Sequence, residues 1–568
     1  MKNVFILLLI FSSNILFAQF RETRAVWLAT NYRLDWPPTT FDAEKQKQSL
    51  IEIFDDLKSK NFNTVFFQVR ANGVVLFNSS FEPLSPYING EVDGDVSYDP
   101  LAFAIEQAHK HGLEIHAWLN MNLVFTGSEE NIFNNPNHIC QRKPEWIVED
   151  FRDGQKSYWL DVGLPEVRNY LADLISELVE NYDVDGINLD YIRYPGKNFD
   201  DDFSFQVHGK GLTRDEFRRN NITALVKEIY DKVKLIRNEV KVGASPIGVY
   251  RRLKGMNSWE SYSELYQDSY RWLKDGIVDY LSPQIYWSMN ENPKFDLLAK
   301  DWIDNSSGRN IVLGIGAYKD NVKSQIEEMI KLSRQLETSG VAFFRYQNIK
   351  DVSFLSFSYK TLPAQMPWLD GKYPVQPIDL TLHKNVDDKF FTLSWKLKNE
   401  QTANDSVEYF SIYNLQKSNS ELNSENLFDV IPADKNYVTL AIEKPKKVNY
   451  YFAIKSVNKV WTESKEASNT VEIKIDKMKE LLSFGDKIGK PVLYKSDLLG
   501  WFIILESNST QQIEIFGGRK NVYSLLQTEN ASVGKNIFKT QNVLKDFDSI
   551  KIVFQNEKKE FELKVSSL

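Results

Sequence analysis

The feature that most constrains the fold is the regular alternation, over residues 20–370, of short apolar segments with segments of helical periodicity. Most of the apolar segments are near-continuous runs, which is typical of parallel strands covered on both faces. The predicted strands are residues 24–30, 64–70, 114–120, 186–190, 241–246, 279–286, 311–316 and 341–346. The predicted helices between them are residues 42–60, 100–111, 165–182, 214–239, 259–274, 294–303 and 321–338. This alternation predicts an α/β fold, a (β/α)8 TIM barrel. A doubly wound open sheet is the alternative, but no GxGxxG follows the first strand.

Composition and the first residues limit the compartment and the partners. Residues 1–18 join one early lysine, Lys2, to an apolar stretch that ends at Ala18, which is typical of a signal peptide. The apolar run is too short to span a membrane, so we expect an exported chain, periplasmic or extracellular, with no membrane-spanning segment after processing. The net charge of −8 argues against nucleic acid as a partner.

Cysteine and histidine usage give no sign of a metal or cofactor. The single cysteine, Cys140, excludes an intramolecular disulfide and a cysteine-based zinc site. The six histidines show no metal-ligand spacing. We therefore expect no metal and no cofactor.

The stretch DGINLDYIRYP, residues 185–195, places one carboxylate, Asp190, where a short apolar strand meets a polar loop. Active sites of (β/α) barrels lie at the carboxyl ends of their strands. Asp190 is therefore the first candidate for a catalytic residue. The alternative is a capping or ion-paired aspartate, with Arg193 as its partner.

The carboxyl ends of the other predicted strands are rich in amides, guanidinium groups and aromatic rings, a set that suits a polyhydroxylated ligand. The predicted ligand-binding residues are Asp35, Trp36, Gln68, Arg70, Trp118, Asn120, Arg193, Tyr194, Gln284, Tyr286, Trp287, Tyr318 and Arg345. Among these, Trp36, Trp118, Tyr286 and Trp287 are the rings expected to stack on a sugar. The alternative for Trp118 and Gln68 is a place inside the packed barrel.

Several segments, in order along the barrel, show a resemblance to a known family. They include RETRAVWLATNYRLDWP (21–37), FQVRANG (67–73), YDPLAFAIEQAHKHGLEIHAWLN (98–120), LDVGLPEVRNYL (160–171), VDGINLDYIRYP (184–195) and DGIVDYLSPQIYW (275–287). With them the chain resembles the glycosyl hydrolase-like 10 family of bacterial exported proteins. The resemblance implies a TIM barrel that hydrolyses O-glycosidic bonds in bacterial cell-wall glycan, in particular peptidoglycan strands stripped of their peptides. The alternatives are a hydrolase of dietary or environmental polysaccharide and a non-catalytic glycan-binding barrel.

Two departures from related patterns matter for the chemistry. The family commonly has QVRPxGDA after the second strand, whereas this chain has QVRANGVV, with Val74 in place of the aspartate. The chitinase motif DGxDxDxE overlies DGINLDYI, but its terminal glutamate falls on Ile192 and its middle aspartate on Asn188. A substrate-assisted chitinase mechanism is therefore not supported.

Glycoside hydrolysis normally needs two carboxyl groups, and only Asp190 is placed with its strand. Asp161, just before the third predicted helix, is the candidate for the second, with helix capping as the alternative. Asp35 and Glu82 are other loop carboxylates, more typical of sugar binding or loop bracing. Arg193 or Arg70 beside Asp190 would lower its pKa and suit it to act as a nucleophile or as a stabiliser of a cationic transition state.

Downstream of a proline-rich stretch at residues 362–377 the pattern changes to alternating strands. The predicted boundaries are 1–18 for the signal peptide, 19–370 for the barrel, 371–477 for a first β domain and 478–568 for a second. Residues 371–477 resemble a fibronectin type III domain, with Trp395 on an early strand and Tyr450/Tyr451 where a tyrosine corner would fall. Residues 478–568 predict another small sandwich-like domain. Trp461 and Trp501 are either core residues, which is the commoner case, or exposed sugar-binding rings.

Overall fold

A computed structural model describes residues 20–152, 154–369 and, with interruptions, 372–565. The predicted signal peptide, 1–18, lies outside the described residues. Eight parallel strands close into a barrel, because the first strand pairs with both the second and the last. They are β1 (Thr23–Leu28), β2 (Thr64–Ala71), β3 (Glu114–Asn120), β4 (Gly186–Asp190), β5 (Lys241–Ala244), β6 (Tyr280–Leu281, continued by Gln284–Ile285), β7 (Asn310–Ile315) and β8 (Gly340–Phe344). The predicted (β/α)8 barrel is confirmed.

A helix follows each strand and covers the outside of the barrel. The helices are α1 (Ala43–Ser59), α2 (Pro100–Lys110), α3 (Pro165–Asn181), α4 (Arg214–Ile236), α5 (Ser269–Asp275), α6 (Phe295–Asp304), α7 (Ile326–Gln335) and α8 (Tyr346–Ile349). Local signals fix their starts: the Asp99 carboxylate accepts the Ala102 N–H at 2.9 Å ahead of α2. Thr213 and Glu216 form a reciprocal capping box at the start of α4.

The loops at the carboxyl ends of the strands contain further elements. A three-stranded antiparallel sheet, Leu123–Thr126, Ile147–Arg152 and Gln155–Leu160, fills the β3–α3 connection, and the alternation of the sequence did not predict it. The short helices are Glu130–Phe133, Ile139–Arg142, Asp202–His208, Ser261–Glu264 and Asp320–Lys323. The predicted helix over 259–274 is divided in two, because the backbone of Tyr266 takes a φ of 63° and separates Ser261–Glu264 from α5.

Aromatic side chains fill the barrel interior. Trp27 packs edge-on against Phe66, with ring centroids 5.1 Å apart, and Phe66 stacks on Tyr280 at 5.8 Å. Trp118 is buried in the same cluster. The interior is therefore a packed core, and a ligand has room only above it, at the carboxyl ends of the strands.

Two β units follow the barrel, as predicted. In the first, the sheet of Pro377–Lys384, Phe390–Leu397, Tyr437–Ile442 and Leu481–Leu482 faces the sheet of Leu427–Pro432, Tyr409–Leu415, Asn449–Val457 and Val471–Lys474. In the second, Val492–Ser496, Gly500–Ser507 and Gly534–Lys539 face Val522–Ala531, Gln511–Arg519, Ser549–Phe554 and Lys559–Lys564. Because Leu481–Leu482 pairs with the first unit, that unit extends past the expected boundary at 477. Trp461 and Trp501 are both buried, as core residues.

The first β unit contacts the amino-terminal end of the barrel. Arg21, just before β1, pairs with Glu463 at 2.9 Å, and Lys58 of α1 pairs with Asp429 at 3.3 Å. Among the described residues, these ion pairs between the first β unit and the barrel lie at the end opposite to the one where the strands finish. Over the described residues, no helix has the length and apolar character needed to cross a membrane.

Candidate active site

The site centres on Asp190, the last residue of β4, which is 9% exposed. Its Oδ2 accepts the indole N–H of Trp118 at 3.2 Å. Its Oδ1 accepts the Tyr191 backbone N–H at 2.8 Å and the Gln284 amide N–H at 3.0 Å. Every hydrogen-bond donor to this carboxylate is thus a neutral N–H group, and no cation forms an ion pair with it among the described residues. Both oxygens are fixed in place.

Burial raises the pKa of Asp190 above its usual range, and the Tyr191 N–H, the Arg193 charge and the Trp118 and Gln284 N–H groups lower it only in part. The expectation that Arg193 or Arg70 would leave this pKa low is therefore wrong. Arg70 is instead paired with the buried carboxylate of Glu82, at 2.5 and 2.7 Å. A carboxyl group whose pKa is shifted by desolvation in a cleft is typical of a functional site.

Amide side chains surround Asp190. The Gln284 amide nitrogen also donates to the Ser245 carbonyl at 2.9 Å, so it links the ends of β4, β5 and β6. Asn120 is the register partner of Asp190 on β3, and its Oδ1 is buried without a hydrogen-bond partner. The fold thus leaves one buried acceptor unsatisfied on the strand next to Asp190.

Aromatic rings cluster at the carboxyl ends of β6, β7 and β8. Tyr286 lies 5.5 Å from Phe344 and 5.9 Å from Tyr318, which is 50% exposed. Burial and the nearby charge of Asp190 raise the pKa of Tyr286 well above its usual range, so its hydroxyl stays protonated. Trp287 is partly buried, with the Lys319 ammonium 5.8 Å from its ring. The stacking role of Tyr286, Trp287 and Tyr318 stays a prediction.

Arg193 also lies against aromatic rings. Its guanidinium lies 5.3 Å from the ring of Trp159, 5.0 Å from Tyr191 and 5.8 Å from Trp259. Trp259 is 45% exposed. Trp259 is absent from the predicted ligand-binding residues because its position corresponds to the start of a predicted helix. A tryptophan within the polar stretch MNSWESY was the available signal.

Two predicted cleft residues lie in the core instead. Trp36 is fully buried, donates its indole N–H to the Gln46 carbonyl at 2.9 Å and packs on Phe67. Tyr194 is 1% exposed and packs edge-on against Phe199 and Tyr266. Both follow strand ends in irregular loops, where sequence position does not fix the direction of the side chain.

The Asp35 carboxylate joins the loops after β1 and β8. It accepts the Ala29 N–H at 2.7 Å and the Gln347 N–H at 2.8 Å, and pairs with Arg345 at 2.6 Å. Asp35 and Arg345 therefore brace the two loops against each other, and their contact with sugar stays a prediction.

Gln68 and Arg70 also act within the protein. The Gln68 side-chain oxygen accepts the Thr30 and Asn31 N–H groups, both at 3.0 Å. Arg70 is almost completely buried, between Glu82 and the backbone carbonyl of Met121 at 2.9 Å. Trp118 is likewise buried but touches Asp190 directly. Of the predicted set, the structure therefore gathers Trp118, Asn120, Gln284 and Tyr286 around Asp190, with Arg193 near it.

Asp161 lies in a separate polar group on the same end of the barrel. Its Oδ1 accepts the Gly163 N–H at 2.9 Å in the turn before α3. Burial raises its pKa to about 6, against the Ser204 hydroxyl and the Gly163 N–H, which lower it. The described contacts do not join Asp161 to Asp190, and its catalytic role stays a prediction.

Among the described residues, one group has metal-ligating side chains close together: His109, Asp183 and Glu408, with ligand atoms within 4.8 Å. This group lies at the amino-terminal end of the barrel, at the contact with the first β unit. Asp183 is already paired with Arg237 at 2.7 Å and with Lys459. The group therefore belongs to the junction between the units and not to the cleft.

Comparison with known proteins supports the resemblance drawn from the motifs. The sequence profile of the family described as glycosyl hydrolase-like 10 matches residues 22–332. The glycosyl hydrolase YngK of Bacillus subtilis (strain 168) is 31% identical over 488 residues, which cover 80% of this chain and 94% of the relative. The glycosyl hydrolase DigH of Escherichia coli (strain K12) is 33% identical over 361 residues, 57% of this chain and 82% of the relative.

Among solved structures, the glycoside hydrolase domain of PgaB (BpsB) from Bordetella bronchiseptica is 13% identical and covers 59% of this chain and 99% of that domain. The TM-score between the two structures is 0.42.

Proposed function

Because the chain belongs to the glycosyl hydrolase-like 10 family, we propose that it is an exported glycoside hydrolase that cleaves O-glycosidic bonds in bacterial glycan, with peptide-free peptidoglycan strands as its substrate. The family supports the reaction class, and the motif resemblance supports the substrate. Export rests on the signal-peptide pattern of residues 1–18. The fibronectin type III-like unit and the second β unit space or dock the barrel.

One observation supports the reaction most directly: Asp190 is a buried carboxylate fixed by N–H donors at the carboxyl end of β4, where active sites of such barrels lie. Glycosidic cleavage passes through a transition state with positive charge on the sugar ring. A preorganised carboxylate in a dry site stabilises that charge more than water does, and needs no rearrangement at the moment of reaction. Asp190 would act as nucleophile or as electrostatic stabiliser.

The reaction needs a second carboxyl group, and Asp161 is the candidate that the sequence names. Its pKa of about 6 lies in the range that suits a general acid near neutral pH. Its position in the β3–α3 connection puts it on the catalytic end of the barrel. Among the described contacts Asp161 does not touch Asp190, so a variant of Asp161 alone tests its role.

The second candidate function is a glycan-binding barrel without catalysis. The same contacts of Asp190 favour it, because none of its hydrogen-bond partners is a second carboxyl group. A barrel that kept the cleft and lost the acid would bind glycan strands and leave them intact.

A reducing-end assay on peptide-free peptidoglycan strands separates these functions, with binding to the same strands measured in parallel by calorimetry. We expect new reducing ends, and none on intact peptide-bearing strands under the same conditions. Binding without new reducing ends would establish the non-catalytic barrel. Cleavage confined to a panel of plant or environmental polysaccharides would retain the enzyme and replace the substrate.

A further inference from the structure

Arg193 is a partly buried guanidinium beside the cleft that makes no ion pair within 4.0 Å among the residues the structure describes. Its contacts are aromatic faces, of Trp159, Tyr191 and Trp259. Its hydrogen bond within the described chain goes from Nη1 to the Tyr194 carbonyl at 3.2 Å. Since a guanidinium presents a fork of several N–H donors, most of this fork is not used by the protein.

The three fully buried arginines of the barrel each pair with a carboxylate of the chain, whereas the partly buried Arg33, Arg168 and Arg193 form no ion pair among the described residues. Arg70 is paired with Glu82 at 2.5 Å, Arg218 with Asp201 at 2.7 Å and Arg24 with Glu22 at 2.7 Å. Removing a charge from water is costly unless it is paired. These arginines receive their carboxylate from the chain, whereas Arg193 does not.

The two carboxylates whose charges act on Arg193, Asp190 and Asp150, already have partners within the protein. Asp150 pairs with Arg152 at 3.3 Å. Asp190 has both oxygens occupied by neutral N–H donors. The free fork therefore stands beside the catalytic carboxylate with an exposed indole, Trp259, at its rim.

We propose that Arg193 and Trp259 form a subsite for a sugar that bears a carboxylate, the guanidinium binding the carboxylate and the indole stacking on the ring. This inference rests on the proposed function and specifies its substrate. Arginine binds carboxylates through parallel N–H bonds, and its planar group also stacks on aromatic rings. Such a subsite distinguishes a free carboxylate from the same group blocked as an amide, because the amide has no charge.

Two kinds of glycan offer this chemistry. Peptide-free peptidoglycan has a free lactyl carboxylate on each muramoyl unit, which the stem peptide converts to an amide when it is present. Uronic acid polysaccharides have the carboxylate on the ring itself. The shared group is a sugar carboxylate, and the lengths of the two side arms differ.

The experiment compares each oligosaccharide with its own carboxamide derivative, at one chain length and one pH, on the wild-type chain and on Arg193→Met and Arg193→Lys. For the wild type we expect kcat/KM to be about 10–100-fold higher on the acid than on the amide, with the difference mainly in KM. Arg193→Met should bring this ratio to about one, and Arg193→Lys should give an intermediate ratio because it keeps charge without the fork. The glycan that the subsite recognises, muramoyl or uronic acid, is the one with the larger acid-to-amide ratio of kcat/KM.

Arg193 also lowers the pKa of Asp190, so its removal shifts the pH profile whatever it binds. The ratio between acid and amide cancels that shift, because both substrates use the same Asp190. Arg219→Met is the matched control: Arg219 lies on α4, 4.4 Å over the ring of Tyr262, with no ion pair in the described chain. It should leave the acid-to-amide ratio as in the wild type.

A wild-type ratio near one, or a ratio unchanged in Arg193→Met, would overturn the subsite while leaving glycan hydrolysis standing. If no oligosaccharide is cleaved at all, the proposed function fails, and calorimetry with the same acid and amide pairs still decides the subsite. A ratio lost equally in Arg219→Met would also overturn it, because the effect would then be general charge attraction.

Discussion

The barrel holds two buried carboxyl groups on neighbouring strands, and their surroundings differ. Glu114, at the amino end of β3, contacts the buried ammonium of Lys241 and lies 3.7 Å from His116. Asp190, at the carboxyl end of β4, contacts neutral N–H groups. Burial alone would raise both pKa values; the Lys241 charge nevertheless holds the pKa of Glu114 well below its usual range, whereas the pKa of Asp190 stays raised. The Glu114 carboxylate is matched by a cation of the fold and would be costly to unpair, whereas Asp190 has no ion-pair partner among the described residues and is available for chemistry.

The amino-terminal end repeats this pairing. Asp279 is paired with Lys234 at 2.7 Å and with Arg309 at 3.5 Å, and accepts the Trp368 indole N–H at 2.8 Å. Buried charge at this end is thus matched by opposite charge within the protein. In (β/α)8 barrels the amino-terminal end generally serves stability and the carboxyl end carries the active site, and the charge pairs of Asp279 agree with that division.

The largest difference between the two carboxyl groups should be in stability, at Glu114 near the amino-terminal end of the barrel. Glu114→Gln leaves Lys241 buried without a partner and should lower the free energy of unfolding by about 3–5 kcal/mol. Denaturant unfolding at pH 7 measures this, and the double variant Glu114→Gln/Lys241→Met should recover most of the loss. A single variant as stable as the wild type would show that the pair contributes nothing.

The same pair gives a pH dependence with a definite sign. The folded-state pKa of Glu114 is depressed, so the folded chain binds fewer protons than the unfolded chain as the pH falls below the ordinary glutamate pKa, about 4.3. The stabilisation is complete above that pH and is lost as the pH falls through the folded-state pKa. The stability difference between wild type and Glu114→Gln should therefore shrink below about pH 4, and a difference that grows there would contradict the pairing.

Asp161 tests whether the chemistry at the carboxyl end extends beyond Asp190. Asn at this position keeps the oxygen that accepts the Gly163 N–H, so the turn should survive. If Asp161 is the general acid, Asp161→Asn should lower kcat/KM by about 10²-fold or more on substrates with poor leaving groups. The same assignment predicts that the wild type loses activity above about pH 6, and Asp161→Asn should remove that loss. Unchanged kinetics with an unchanged pH profile would leave Asp161 as a turn residue.

The smallest expected effect distinguishes an exposed ring from a core ring. Trp287→Ala should weaken glycan binding by about 1–3 kcal/mol, by analogy with base–aromatic stacking, and change the Tm little because Trp287 is only partly buried. Trp36→Ala is the control, and should cost about 3–5 kcal/mol of stability because Trp36 is fully buried. Lower Tm with unchanged glycan affinity for Trp287→Ala would place that ring in the core.

The barrel was predictable from the sequence because its strands are buried on both faces and read as apolar runs. β3 and β4 begin and end at the predicted residues, and Asp190 is the last residue of β4, as predicted. Side-chain direction beyond a strand end was not predictable: Trp36 turns into the core, and Trp259 turns out of it. Nor could spacing show that Arg70 and Asp35 are satisfied within the protein, since Glu82 and Arg345 meet them only through the fold. The direction of the Asp190 pKa shift depends on burial and on the charges that the fold brings near it, which spacing along the chain does not show.

The measurement that tests the account most directly is turnover and Tm of Asp190→Asn on peptide-free glycan, next to the wild type. Asparagine keeps the acceptor for Tyr191 and Gln284 but turns an amide toward the Trp118 N–H, a loss of about 1 kcal/mol that removal of a buried charge offsets. We predict a turnover reduced by at least about a thousandfold, since the charge acts mainly in the transition state, with a Tm within a few degrees of the wild type. A variant that melts like the wild type and retains a tenth of its turnover would contradict the assignment of Asp190.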